Sequence, residues 1–578
     1  MKSKILILFL ILAAASFLRL WSLDKMPPGL YPDEAMNGNN ALEAFETGDF
    51  KMFYPENNGR EGLFINIQAI SVAIFGNKPW ALRLVSSVFG VLTVLGTYFL
   101  AIQLFALKQP QIQNSKFKIK NDNLKFKSLE RNEVIALIAS FFLAVSFWHI
   151  NFSRIGFRAI MAPFFLVWGF YLLLKALNNF QSKLNSSIYK QKKDIENWKL
   201  KILFLLSGFV YGLGFHSYIA YRVTPVLIIL IFAYFWFKNK KARGQVFVSA
   251  LLFFAAALIA VSPLVFYFYQ NPQDFLGRTS QISVFSSENT VDDLFLNTVK
   301  TFGMFWYQGD YNSRHNLSGE PQLWWPIGIL FGLGLLIFIF RILKFIFSGF
   351  KKLKDEILPD ISLLFWLKIG LLPVVVSNEG IPHALRAIIV IPPVMIISAV
   401  GLERLYAFIS NWFVKQAGNF PEISRKILRI KKEFSALVII FCVILFVQAY
   451  AQYFWRYAAR PEIQDAFSKK YADLGNYLNF LPQNLDKFVI INAGGTDVRG
   501  LPMPSQTVMF ITETFLPQWQ KEKNLRYILP QDLSEIHCEN SCVIAMLEND
   551  SAMRVKLKEF IPALQSDSSG GVLVLKNF

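Results

Sequence analysis

Cysteine and histidine are scarce in this chain, with three and five copies in 578 residues. Cys442 lies inside an apolar run, and only Cys538 and Cys542 sit near each other, which excludes a disulfide framework as the organising feature. That pair could close one local disulfide in an oxidising compartment, or join His537 as metal ligands. Three clustered candidate ligands with no distant partner make a weak zinc signal. Acidic residues are also in deficit: 40 Asp and Glu against 59 Lys and Arg leave a formal charge of +19. The basic residues fall in short clusters between apolar runs, where membrane proteins keep their cytoplasmic loops. The charge therefore points to topology and an anionic lipid surface, with no nucleic-acid partner. No internal repeat is visible, and low-complexity sequence is confined to Lys/Asn/Gln-rich loops.

What the chain has in abundance is apolar sequence. At 54% hydrophobic residues and a mean hydropathy of +0.37 it is too apolar for a soluble globule. The expected fold class is a polytopic all-α membrane protein with a small C-terminal α/β domain. A spanning helix needs about 20 apolar residues, and eleven segments qualify: 4–23, 80–106, 133–151, 160–177, 202–218, 222–237, 245–268, 324–347, 359–377, 385–406 and 434–453. The first resembles a secretory signal, but its apolar character continues past the small residues through Leu20 and Trp21, so it reads as an uncleaved span.

Residues 62–75 are apolar but short for a span, and counting them would reverse every later loop. Loop charge decides against a crossing. Basic clusters at 108–131, 183–199, 238–243, 351–354 and 425–432 all fall on one side only if 62–75 stays at the interface or re-enters. This places the N-terminus in the cytoplasm of a cell (inner or plasma) membrane and the C-terminal domain outside. The expected division is a membrane domain over 1–455, with outer loops at 24–79 and 270–322, and an extracytoplasmic α/β domain over 456–578.

The first outer loop carries the stretch PPGLYPDEAMNGNN, with adjacent carboxylates at Asp33 and Glu34. Read locally, Asp33 after Pro32 makes an ordinary helix N-cap. The other outer loops collect Arg, His and aromatic residues: Arg154 and Arg158; His216, Tyr218, Tyr221 and Arg222; Arg314, His315 and Asn316; His383 and Arg386. Each has a structural explanation, such as snorkelling or an interfacial belt. Together they are unexpected, because positive-inside bias should deplete Arg here, and ionisable groups clustered at membrane depth read as a functional site. Arg60 in the first outer loop joins the set. Asp292 and Asp293 read as a helix cap after Asn289 and Thr290, with no third acidic ligand nearby.

These residue types fit transfer from a lipid-linked phosphate donor. Arg supplies a fixed bidentate charge for phosphate, Tyr218, Tyr221, Trp306, Tyr307 and Asn316 a wall for a sugar, and a carboxylate a base for an acceptor hydroxyl. Attack at the anomeric carbon would expel a polyprenyl phosphate whose growing charge Arg and His can stabilise.

GLYPDEAMNGNNA, SRIGFR, GLGFHSYIAYRVTP and PHALRAIIVIPP together resemble bacterial membrane glycosyltransferases of the GT-C fold. These are similar to the dolichyl-phosphate-mannose protein mannosyltransferases and the aminoarabinose lipid A transferase, a family 39-like group, and the resemblance covers most of residues 1–410. It implies that Asp33 is the catalytic base with Glu34 its neighbour. It further implies that transfer is inverting, uses a polyprenyl-phosphate sugar at the outer face, and requires no cofactor and often no metal. Arg154 matches the family's next-loop Ser-Arg. Where the mannosyltransferase pattern continues to an aspartate, this chain has Arg158 and Ala159, so a mannosyl donor and a protein acceptor are not carried over. Partners would be the donor, a glycan, lipid or protein acceptor, and membrane lipids. The alternatives are a flippase for lipid-linked saccharide, or an oligosaccharyltransferase or ligase of the same fold.

From Arg460 onward, short alternating runs predict strands at 488–492, 526–529, 542–547 and 572–575, with helices at 465–480 and 551–562.

Overall fold

The computed structural model describes residues 2–106, 130–185, 195–275, 289–348, 357–416, 421–538, 541–568 and 570–578. Lys108, Lys116, Lys118, Lys120, Lys125, Lys127, Lys190, Lys192, Lys193, Lys351, Lys352 and Lys354, on which much of the loop-charge argument rests, lie outside them.

The chain is a polytopic α-helical membrane protein. Among the described residues nine helices are long and apolar enough to cross a bilayer, and a bent pair adds a tenth. The Lys2–Leu20 helix, 19 residues long, turns Ile5, Leu6, Phe9 and Leu10 outward. The Arg243–Gln270 helix shows how the bundle is sorted. Phe247, Leu251, Phe254 and Leu258 recur every three or four residues on its exposed stripe. Ser249, Phe253, Ala256, Ala257 and Ala260 line the buried one. Against that face lie Gly208 and Gly212, a GxxxG pair on the Ile195–Leu213 helix. A Cβ on Gly208 would stand 2.0 Å from the Phe253 carbonyl oxygen, and one on Gly212 2.5 Å from that of Ala257. Small residues thus let two backbones touch where lipid supplies no hydrophobic drive for association.

The segment expected as one span over 133–151 is broken. The Arg131–Val145 and Phe147–Arg154 helices meet at 57°. Arg19, fully buried on the first helix, donates to the carbonyls of Leu143 (3.2 Å) and Ala144 (2.9 Å) at the break and lies 2.7 Å from Nδ1 of His149. A buried cation on the first helix thus takes carbonyls that the bend would otherwise strand.

Residues 62–75 form a 14-residue helix, Gly62–Phe75, about 21 Å long at 1.5 Å per residue and short of a bilayer core. It packs under the Pro32–Thr47 helix. Pro32 takes the first helical position, for which its fixed φ and missing N–H suit it. The N-cap is Tyr31, so Asp33 is not the cap expected from sequence but the second residue of the helix.

The C-terminal region builds a five-stranded sheet in the order Leu525–Ile528, Asp486–Ile490, Cys542–Met546, Val574–Lys576, Gln565–Asp567, with the first three parallel. Cys538 and Cys542 are joined in a disulfide, which removes them as metal ligands. A helix that alternation did not reveal, Ser505–Thr512, is buried throughout and lies on the Pro32–Thr47 helix. Asn39 Nδ2 donates to the backbone and side-chain oxygens of Gln506 (3.1 and 2.9 Å), and Asn77 to the Phe510 carbonyl (2.7 Å).

Arg499 completes this junction. Its two Nη atoms each lie 2.9 Å from a Glu43 oxygen, and Nη2 lies 3.1 Å from Oε1 of Glu56. Burial would raise the Glu56 carboxyl, but the Arg499 hydrogen bond and charge more than offset it and hold it below its usual 4.5. A carboxylate depressed in the folded state stabilises above its unfolded value and loses that contribution as pH falls through the folded one. The junction should therefore loosen below pH 4.5. Arg499→Ala should cost up to about 1 kcal/mol, since the groups are partly solvated, and should flatten this acid response. Thermal unfolding of detergent-solubilised protein across pH checks both; an equal acid response in the variant refutes the assignment.

Candidate functional site

Two adjoining cavities open at the end of the bundle where the Pro32–Thr47 helix begins. The larger, about 370 Å³, is lined by Tyr31, Asp33, Phe157, Tyr218, residues of the 310–315 turn and residues of the 379–386 turn. The smaller, about 120 Å³, is lined by Asp33, Asn37, Asn57, Asn58, Arg60, Arg158 and Ala159. Asp33, Phe157, Tyr218 and Leu385 belong to both walls.

Asp33 is half-buried, and its Oδ1 accepts from Nδ2 of Asn57 at 2.9 Å. Asn57, Asn58 and Gly59 all have positive φ (53°, 61° and 79°). Asn and Gly tolerate that left-handed run where a branched residue would not, and the turn aims the amide at the carboxylate.

Glu34 is placed differently from the catalytic neighbour expected of it. Successive helical residues point about 100° apart, and Glu34 turns into the bundle, fully buried and away from both cavities. It makes a two-point pair with Arg83, Nε to Oε2 at 2.9 Å and Nη2 to Oε1 at 3.1 Å, and accepts from the Gly156 N–H at 2.8 Å. Arg83 also donates to the carbonyls of Pro27 (2.6 Å) and Gly29 (2.8 Å). Arg83 was not expected at the site; a lone buried cation near the end of a spanning helix was the signal.

The cationic residues separate into those at the cavities and those behind them. Arg60 donates to Oδ1 of Asn37 (2.8 Å) and of Asn40 (2.6 Å), and burial pulls its guanidinium down to about 10. Arg158 pairs with Glu61 at 2.7 Å. Both line the smaller cavity. Arg314, stacked 4.0 Å over the Tyr31 ring, and Arg386, donating to the Glu379 carbonyl at 2.7 Å, line the larger one with His315 and His383.

Arg154 stands behind, donating to the carbonyls of Leu18, Trp21, Ser22 and Met26 and lying 4.9 Å from the rings of Tyr453 and Phe454. It fastens the end of the first helix and the start of the loop that carries Asp33. His216 bonds the Ala260 carbonyl, Tyr221 donates to that of Tyr211, and Arg222 stacks on Phe275; none of the three lines either of these two cavities. Asn316 donates to the Glu320 carbonyl inside its own turn. Trp306 and Tyr307 likewise lie off both walls, the former donating to the Gly328 carbonyl and the latter exposed.

Asp310 stands out in sequence in the same GDYNSRHN stretch as Arg314 and His315, without an assigned role. Its Oδ2 accepts from the Ala384 N–H at 2.7 Å and faces Nδ1 of His315 at 3.0 Å and Nδ1 of His383 at 3.7 Å. Burial would raise its carboxyl, but the two histidines and the Asn312 N–H hold it low. Burial likewise lowers His315 despite the carboxylate. Asp292 and Asp293 stand in the first turn of the Thr290–Gly303 helix, whose N-cap is Asn289.

No protein-family model matches the chain, and neither does any curated protein. Solved structures do resemble it. ArnT from Cupriavidus metallidurans bound to undecaprenyl phosphate superposes with a TM-score of 0.56 over 99% of this chain and 98% of its own, at 12% identity. The archaeal oligosaccharyltransferase AglB from Archaeoglobus fulgidus, in complex with an inhibitory peptide and a dolichol-phosphate, superposes at 0.51 over 94% of this chain and 69% of its own, at 13% identity. The chain has the GT-C fold. In this GT-C chain the Glu34–Arg83 pair is what ties the helix bearing Asp33 to the bundle. Removing one partner of a buried pair strands the other charge, so Glu34→Gln should destabilise by about 3–5 kcal/mol. Arg83→Met combined with Glu34→Gln should recover part of that loss. Thermal unfolding and monodispersity in detergent give the readout; a near-silent Glu34→Gln refutes the structural role.

Proposed function

We propose that this GT-C chain is an integral membrane glycosyltransferase that moves a sugar from a polyprenyl-phosphate donor to an acceptor hydroxyl, with inversion, at the outer face of the cytoplasmic membrane. The observation that carries the reading is the position of Asp33, half-buried on the shared wall of two adjoining cavities of unlike character. The larger holds Arg314 and Arg386, which suit a phosphate. The smaller presents amides and a second pair of arginines, which suit a polar acceptor. The undecaprenyl phosphate of ArnT and the dolichol-phosphate of AglB, two proteins of this fold, support a lipid-phosphate donor.

In the proposed reaction the Asp33 carboxylate takes the proton of the acceptor hydroxyl as that oxygen bonds to the anomeric carbon from the face opposite the phosphate. The bond from the anomeric carbon to the phosphate oxygen breaks, and the polyprenyl phosphate leaves with the electron pair. Arg314 and Arg386 stabilise the charge growing on it. Asn57 holds the Asp33 carboxylate in orientation, and Phe157 and Tyr218 wall the reacting sugar from water. Glu34 and Arg154 serve as positioning residues for the loop. The site faces outward if the eleven spans and the loop charges set the topology, with the N-terminus cytoplasmic and the domain over 456–578 outside.

Likeness to AglB favours a second reading, transfer of a whole oligosaccharide. The two differ in the lipid retained by an inactive enzyme, so mass spectrometry of lipids co-purifying with Asp33→Asn separates them by the size of the saccharide. Asp33→Asn should leave stability unchanged and reduce transfer by at least about a hundredfold, the usual contribution of a general base; full transfer sinks the base assignment. Arg386→Glu should weaken donor binding, read as a raised KM for polyprenyl-phosphate sugar. An unchanged KM would remove Arg386 from the phosphate site.

A further inference from the structure

The 310–315 turn and the 379–386 turn bring together three side chains that transition metals favour, although neither turn carries a metal-ligand motif on its own. Asp310, His315 and His383 each offer one ligand atom, and these atoms all lie within 4.8 Å of one another. We propose that Asp310, His315 and His383 form a binding site for a single divalent transition-metal ion of the zinc class, with its remaining coordination positions open to the larger cavity.

Three features of the geometry argue for it. With metal–ligand bonds near 2.0–2.1 Å, neighbouring ligand atoms lie about 3.3 Å apart in a tetrahedral site and about 3.0 Å in an octahedral one. The Asp310 Oδ2 to His315 Nδ1 distance of 3.0 Å and the Oδ2 to His383 Nδ1 distance of 3.7 Å bracket those edges. The remaining edge, between the two histidines, is no longer than 4.8 Å, so closing the triad on an ion means drawing the two imidazoles together.

The carboxylate is also held by backbone donors, as ligating carboxylates commonly are. Asn312 N–H donates to Oδ1 at 2.8 Å and Ala384 N–H to Oδ2 at 2.7 Å, which fixes its plane without using the direction of the histidines. A simple Asp–His hydrogen bond accounts for His315. The His383 ring stands 4.9 Å from the His315 ring, which brings a second imidazole to the same carboxylate.

Two imidazoles and one carboxylate suit zinc, manganese or iron better than magnesium, which prefers oxygen ligands. On binding, the ion takes the place of the proton between Asp310 Oδ2 and His315 Nδ1, which moves to Nε2 or to solvent. The open positions face the cavity assigned above to the donor phosphate. That use of the ion rests on the transferase reading, whereas its binding does not.

The test uses tag-free, full-length protein in detergent, stripped with a chelator and dialysed. Zinc titration with metal analysis should give one equivalent per chain, and Co²⁺ in its place should show absorption bands of a low-coordinate N/O site. His383→Gln and His315→Gln should each weaken zinc at least about tenfold, a change of second-shell size or larger, while gel filtration and circular dichroism match the parent. Magnesium should not compete. Asp33→Asn should bind zinc normally even though it no longer transfers, so failure of the transferase reading and failure of the metal site give different results. Less than one equivalent in the parent, or zinc affinity unchanged in both histidine variants, overturns the proposal.

Discussion

The buried pair of Glu34 and Arg83 is the constraint on which the rest of this site depends. Two charges removed from water are costly unless nearly every lone pair and N–H is used, and here nearly all are. Glu34 takes two bonds from Arg83 and one from the Gly156 N–H, while Arg83 spends its remaining donors on the Pro27 and Gly29 carbonyls. A single interaction therefore joins four pieces of chain: the loop before the Pro32–Thr47 helix, that helix itself, the Pro79–Ala106 span and the turn after Arg154. The loop that leads into the Pro32–Thr47 helix is fixed to the bundle at the residue next to Asp33.

A second layer repeats the device with arginines that have no carboxylate. Among the described residues Arg19 and Arg154 make no salt bridge with a carboxylate; they fill the gaps where helices end or bend and carbonyls would be left bare. This is how a membrane bundle tolerates irregular backbone at depth, provided protein groups replace the missing helical hydrogen bonds. From the other side the C-terminal sheet domain lays the Ser505–Thr512 helix against the loop helix through Asn39, Asn77 and Arg499. Gly29, at φ +69°, lets the loop pass so close to Lys469 that a Cβ would meet its Cα at 2.5 Å.

Much of the fold was legible because bilayer thickness imposes a length on every span and hydropathy reads that length directly. The break at Ser146 was not legible, since nothing local to 133–151 encodes it; the group that satisfies its carbonyls is Arg19, more than a hundred residues earlier in sequence. The Ser505–Thr512 helix escaped because it is buried on all sides and so carries no alternation of polar and apolar residues. At the candidate site, the residues singled out by their chemistry divide into those that line the two cavities and those that stand behind them. Of the ArgHisTyr set, Arg60, Arg158, Tyr218, Arg314, His315, His383 and Arg386 face the cavities, while Arg154, His216, Tyr221, Arg222 and Asn316 bond to backbone or stack on rings behind them. Composition cannot separate the two groups, because a guanidinium that fastens a loop and one that meets a phosphate are the same residue in the same stretch.

The adjacent carboxylates show why the distinction needs a helix rather than a motif. In sequence Asp33 and Glu34 are adjacent acids, and only the resemblance assigns the base to the first of them. Once Pro32 starts a helix, the 100° between consecutive residues lets only one of them face the cavity while the other faces the bundle. The shorter acid has the exposed place, where Asn57 orients it and solvent or substrate can reach it. The longer one has the reach to meet Arg83 and Gly156 at the same time. The pair thus divides its work by geometry: one carboxylate is held in position because its neighbour is not free to move.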